Sequence, residues 1–316
     1  MRSITSALAL VFLCSVIACG QDMSGHHHGA PAAVPDPMVN QEWAKQKLVK
    51  SPRHQEWVKV KNGTREVNSF VVYPENKNKA TAVVVIHEIF GLSDWIQSLT
   101  DQLAEAGYVA IAPDLLSGMG PNGGGTGSLD RQAIGQAVRD LPADQVTADL
   151  NAVAAYVSKL PASNGKVVVA GYCWGGSQTF RYATNNPNIK AGFVFYGSGP
   201  AAADGTPDKA ALAKIQAPIH GFYASNDARI NATLPKTSEA MTELKKTFDP
   251  MTYENSGHGF MRAGDAPEPA APQATGNKEA DDKAQADYQK ALATWKGNKK
   301  ARDDAWARWK KILAAV

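Results

Sequence analysis

Cysteine is scarce in this chain of 316 residues: Cys14, Cys19 and Cys173 are the whole complement. That excludes a disulfide-stapled scaffold, and the length is ample for a real buried core instead. No apolar run is long enough for a comfortable transmembrane helix. No basic stripe interleaved with aromatics runs through the middle, and the net charge is only +3, which argues against a dedicated nucleic-acid binder. The Gly-rich stretch 117–128 lacks Gly-Lys-Ser/Thr, so it is not a phosphate-cradling loop. His26, His27 and His28 have no Cys or carboxylate cluster beside them and read as a polar spacer rather than a metal site. Neither a metal nor a cofactor is implied.

What is present begins at the N-terminus. Arg2 precedes an uncharged, mostly apolar run over 4–18 that ends in Val16-Ile17-Ala18-Cys19. A charged start, a short apolar region and small residues at the cut read as a secretory signal over 1–19. Its last four residues resemble a bacterial lipobox, in which Cys19 becomes the lipidated first residue. The expected location is therefore the cell envelope or periplasm, anchored to a membrane surface without spanning it. A plain signal peptide that happens to contain a cysteine is the alternative. Residues 20–45 follow as a tether, rich in Gly, Ala, Pro, Ser and His up to about Pro37. Only Cys173 is then left in the folded part. A lone thiol outside the cytosol calls for a functional explanation.

Residues 46–316 read as one α/β domain. Alternating segments at 57–61 and 66–73 flank Asn62-Gly63 and predict an edge hairpin. From Ala82 the pattern changes to continuous apolar runs at 82–86, 108–112 and 166–170, as expected for strands buried on both faces. Helical patterns at about 94–106, 142–160 and 176–184 separate them. Further strands are expected at 191–196, 219–224 and 251–253, with a helix near 234–247. Strands alternating with helices imply a mainly parallel, doubly wound sheet with helices on both faces. The stretch 117–128 reads as a mobile lid or a wide turn. Two charged helices are expected at the end, 278–295 and 299–315, with Trp306, Trp309 and Leu313 on one face of the second.

The chemistry centres on Gly171-Tyr172-Cys173-Trp174-Gly175, a sharp strand-to-helix turn of the nucleophile-elbow pattern. A buried structural cysteine in a Gly-rich turn is the bland alternative. A thiol nucleophile needs a base, and the base needs an orienter. In the α/β-hydrolase fold the chain order is nucleophile, acid, histidine. Asp227 and His258 lie in that order, just past strands. His54 precedes the sheet, His220 sits inside a strand and His87 is out of order. The backbone N–H groups of Ile89 and Trp174 are the expected oxyanion hole. Glu88 places a carboxylate next to the thiol, which would raise the thiol pKa unless it is paired or acts as a switched partner.

The blocks His87-Glu88-Ile89-Phe90-Gly91-Leu92, Ala112-Pro113-Asp114-Leu115, Gly171-Tyr172-Cys173-Trp174-Gly175-Gly176 and His258-Gly259-Phe260, in this order, resemble the dienelactone hydrolase family. The resemblance covers about 56–262 and the closing helix with Trp306. It implies an α/β-hydrolase fold and a cysteine-dependent hydrolase of lactones or esters. It implies Cys173 as nucleophile, Asp227 and His258 as the rest of the triad, and Glu88 interacting with the thiol at rest. Arg262 and, near the expected place, Arg131 match arginines that hold a substrate carboxylate. A small-molecule ester or lactone is then the expected partner, with no nucleic acid, and a monomer is expected. An envelope carboxylesterase or thioesterase, and a non-catalytic envelope lipoprotein on the same scaffold, are the competing readings.

Overall fold

Strand-forming segments rich in Val, Ile and Phe recur between amphipathic helices, and the structure resolves that alternation into one twisted sheet. It is a computed structural model that describes residues 41–316 apart from Lys77 and Asp265. The signal, the lipobox with Cys19, the histidines 26–28 and the first part of the tether lie outside the described residues. The strands are β1 (Gln55–Asn62), β2 (Arg65–Val72), β3 (Ala80–Ile86), β4 (Val109–Pro113), β5 (Ser163–Tyr172), β6 (Gly192–Phe195), β7 (Ile219–Ala224) and β8 (Phe248–Tyr253). The helices are α1 (Glu42–Lys50), α2 (Asp94–Glu105), α3 (Arg131–Asp140), α4 (Ala143–Ser158), α5 (Trp174–Asn185), α6 (Lys209–Leu212), α7 (Ala228–Asn231), α8 (Leu234–Glu243) and α9 (Lys278–Leu313).

The sheet runs β1-β2-β4-β3-β5-β6-β7-β8. The β1–β2 hairpin is antiparallel, as its Asn-Gly turn predicts, and β2 pairs antiparallel with β4; β3 to β8 are parallel to one another. This is the expected α/β-hydrolase architecture. Every residue of β3 and β4 is buried, which explains their unbroken apolar runs. One face packs on α4, α5 and α8, through residues such as Leu150, Phe180 and Met241. The other packs on α2 and α9, through Trp95, Leu99, Trp309 and Leu313. Parallel strands all point their carboxyl ends one way, and that end carries the loops where open α/β sheets build their sites.

Three local expectations change. The tether does not extend to residue 45. Gln41 is buried, its Oε1 accepts the Trp95 N–H at 2.8 Å, and α1 docks on α2 with Ala44 fully buried. The polar composition of this segment hid the Trp43, Ala44 and Leu48 stripe that gives it a face to bury. The two C-terminal helices are one 36-residue helix. Gly297-Asn298 reads locally as a stop, but both residues are packing positions. A Cβ on Gly297 would strike the Asn255 carbonyl, and Asn298 Oδ1 accepts the Gly257 N–H at 2.8 Å. Of the two readings of 117–128, the structure shows the wide turn. The Asp114 carboxylate accepts the N–H and hydroxyl of Thr126 at 2.8 and 2.7 Å, and Thr126 Oγ1 accepts the Leu92 N–H at 3.0 Å. These bonds pin the loop to the start of α2.

Candidate active site

The nucleophile candidate owes its position to strain and close approach. Cys173 sits between β5 and α5 with φ 55° and ψ −115°, a conformation costly for any residue with a side chain. Two bonds hold it there: its N–H donates to Phe195 O at 3.0 Å, and its carbonyl accepts Ser177 N–H at 3.2 Å. The glycines are required by contact. A Cβ on Gly171 would meet the Gly175 carbonyl, and one on Gly175 would meet the carbonyls of Ile86 and His87. Gly175 therefore lets the elbow press against the end of β3, where the loop with Glu88 and Ile89 begins. His87 seals that junction. It is fully buried, donates from Nδ1 to Glu88 O at 2.8 Å, and stacks on Trp174 with centroids 5.5 Å apart. Burial lowers its pKa, so it stays neutral and serves packing.

The acid and the histidine come from the next two strand ends. Asp227 follows β7, caps α7 through the Ile230 N–H at 3.4 Å, and is 7% exposed. His258 follows β8, and its Nδ1 lies 2.5 Å from Asp227 Oδ2. The two loops are tied together by Ser225 N–H to Tyr253 O and Asn226 N–H to Ser256 O. That bond fixes the proton on Nδ1 and leaves Nε2 as the ring's acceptor. Asn298 of α9 braces the same loop from outside. His220, by contrast, bonds Asp249 and stacks on Phe193, which makes it a structural residue of β7.

Glu88 differs from expectation. Its carboxylate, 1% exposed, pairs with the guanidinium of Arg262, through Nε at 3.1 Å and through Nη2. Its partner at rest is thus the arginine, and no hydrogen bond joins it to the thiol. The pair is closed in by aromatic rings: the Arg262 guanidinium lies 5.4 Å from the Phe90 ring centroid and 5.5 Å from that of Trp95. Arg131, at the start of α3, lies 5.7 Å from the same Phe90 ring. The structure therefore brings both arginines to one aromatic side chain.

The thiol feels this environment. Burial raises the Cys173 pKa and the Glu88 charge adds to it, while the Trp174 N–H and Arg262 pull it down without prevailing. The resting group is a protonated thiol at neutral pH. Removing the anion takes away one of the two raising causes while Arg262 and the Trp174 N–H still pull down. The thiol pKa should therefore fall and the thiolate fraction should rise, although burial continues to oppose ionisation. Glu88→Gln should alkylate at Cys173 several-fold faster with iodoacetamide at pH 7, and the difference should shrink as pH rises and the parent thiol ionises too. Equal rates at pH 7 in a folded Glu88→Gln protein would show that Glu88 does not control the thiol.

Sequence reasoning missed Tyr196. It is fully buried at the end of β6 with φ 40°, and its ring meets His258 edge-on at 4.9 Å. Its place at a parallel strand's carboxyl end was the available signal. It touches the imidazole and lies within electrostatic reach of Glu88 and Arg262. Among the described residues no group of three or more His, Cys, Asp or Glu is arranged to hold a metal ion.

The family model described as "Dienelactone hydrolase family" matches residues 67–316. A carboxymethylenebutenolidase-type protein of Methylorubrum extorquens is 32% identical over 61% of this chain and 68% of its own length. One from Synechocystis is 30% identical over 65% of this chain and 85% of its own. A crystal structure of a dienelactone-hydrolase-type protein from Klebsiella pneumoniae superposes with a TM-score of 0.59 at 25% identity. It covers 77% of this chain and 98% of that one.

Proposed function

Since the chain belongs to the dienelactone hydrolase family and is a hydrolase of ester or lactone bonds, we propose that Cys173, His258 and Asp227 form its catalytic triad and that the reaction passes through an acyl-cysteine. The observation that carries this reading is the elbow. A structural cysteine has no need of φ 55° at the head of a helix, and that strain marks a functional site. His258, oriented by Asp227, takes the thiol proton on Nε2. Cys173 Sγ attacks the carbonyl carbon, and the N–H groups of Ile89 and Trp174 receive the oxyanion. Collapse expels the alcohol, which takes the proton from His258. Water, deprotonated by the same histidine, then releases the acid and restores the thiol.

Arg262 and Arg131 are the sites for a substrate carboxylate. An anion reaching Arg262 competes with Glu88 for it, so binding and the state of the thiol are linked. Thiolate leaves more readily than alkoxide, which suits activated esters such as enol lactones and disfavours amides. Acid-quenched turnover of p-nitrophenyl acetate should leave one acetyl group on the peptide carrying Cys173. Full turnover by protein whose Cys173 is already alkylated overturns the assignment. Export and lipid attachment at Cys19 belong to the same proposal and rest on the signal motif. Among the described residues no helix is long and apolar enough to cross a membrane.

A further inference from the structure

A cavity of about 740 Å3 opens beside the histidine, and nothing above uses it. His258, Gly259 and Arg262 form its inner wall, so an occupant touches the catalytic base. The outer wall comes from the two ends of the described chain: Gln41 and Trp43 at the start of α1, and Asp287, Lys290, Ala291, Thr294, Trp295 and Asn298 along α9. Its volume lies in the range of small-molecule sites.

The polar atoms of this wall are mostly committed to the protein. Gln41 Oε1 holds the Trp95 N–H, and Asn298 Oδ1 holds the Gly257 N–H. The Trp295 indole donates to Ala266 O at 3.1 Å, Thr294 Oγ1 donates to Lys290 O at 3.0 Å, and Arg262 is taken by Glu88. What these groups still offer an occupant is carbon: two indole faces, with Ala263, Ala266, Pro267 and Ala291 between them. On the outer wall, charge enters through Asp287 and Lys290, both exposed; on the inner wall it enters through Arg262, paired with Glu88. Away from the inner wall of His258 and Arg262, a surface whose hydrogen bonds are largely made favours an apolar group, because a polar one loses water there for little return.

We infer that the cavity between α1 and α9 is a subsite for an extended apolar group, alkyl or aryl, of the ester substrate. The inference rests on the triad reading, since the inner wall is the proposed base. It gives the long C-terminal helix a role in selecting substrate: α9 braces the His258 loop with Asn298 and lines the subsite with Ala291 and Trp295.

The test compares p-nitrophenyl octanoate with the acetate, using the chain from Met38. The kcat/KM ratio should favour octanoate by about tenfold or more, in line with burial of several methylenes. Ala291→Trp, at an exposed helix position, fills the cavity and should bring the ratio near one. Independently of chemistry, Cys173→Ala protein should bind octanamide saturably by calorimetry, and Cys173→Ala/Ala291→Trp should not. Acetate turnover with a flat chain-length series and no octanamide binding overturns the subsite and leaves the triad reading standing. Octanamide binding that Ala291→Trp abolishes, with neither ester hydrolysed, keeps the subsite and overturns the triad reading.

Discussion

Cys173→Ala should lower kcat/KM on p-nitrophenyl acetate by at least about a thousandfold, the scale on which a nucleophile's removal is felt when the other catalytic groups remain. Alanine is the informative replacement. It keeps a Cβ at φ 55°, so the backbone strain at the elbow is retained and the comparison isolates the sulfur. The bonds from Cys173 N–H to Phe195 O and from Ser177 N–H to Cys173 O involve only backbone and should survive. Unfolding in urea should therefore change little, since the thiol is only partly buried. A residual rate above the uncatalysed one is expected if the proposed oxyanion hole of the Ile89 and Trp174 N–H groups is intact, since those are backbone groups the substitution leaves in place. Activity within tenfold of the parent would place the nucleophile elsewhere.

Much of this was legible in the sequence, for identifiable reasons. Residues 82–86 could hardly be other than a buried strand, and the elbow's glycines mark a turn that few other contexts demand. The order Cys173, Asp227, His258 located the triad candidates because each follows a strand, and chain order is linear information. What stayed hidden depends on contacts between distant segments. Arg262 and Glu88 are 174 positions apart, and nothing local to either says that they meet. The pinning of 117–128 depends on Asp114 and Thr126 finding each other across a Gly-rich stretch whose composition suggests mobility. Gly297 looks like a helix stop until the Asn255 carbonyl is seen against it. Tyr196 carries no motif. Its φ of 40° and its contact with His258 arise only once β6 stands beside β5 and β7.

The Glu88–Arg262 pair gives the second large effect, and it is on stability as well as catalysis. Arg262→Ala should destabilise the fold by about 3–5 kcal/mol at neutral pH, the usual result of removing one partner from a buried ion pair. The reason is asymmetry: Glu88 is 1% exposed and Arg262 is the cation paired with it, so losing the arginine strands an anion in a buried site near Tyr196. A stranded buried carboxylate takes up a proton more readily than one in an unfolded chain, so the folded variant binds more protons than its unfolded form. The deficit should therefore be smallest in mildly acidic buffer and grow as pH rises toward neutral. Adding Glu88→Gln to Arg262→Ala removes the charge and should recover more than half of the loss in urea unfolding at pH 7. If the double variant is no more stable than Arg262→Ala, the pair is not coupled as the geometry requires. The same logic governs how kinetics are read. A raised KM in Arg262→Ala reports substrate binding only after the Glu88→Gln background has been subtracted, because the proposed carboxylate site and the fold would share one guanidinium.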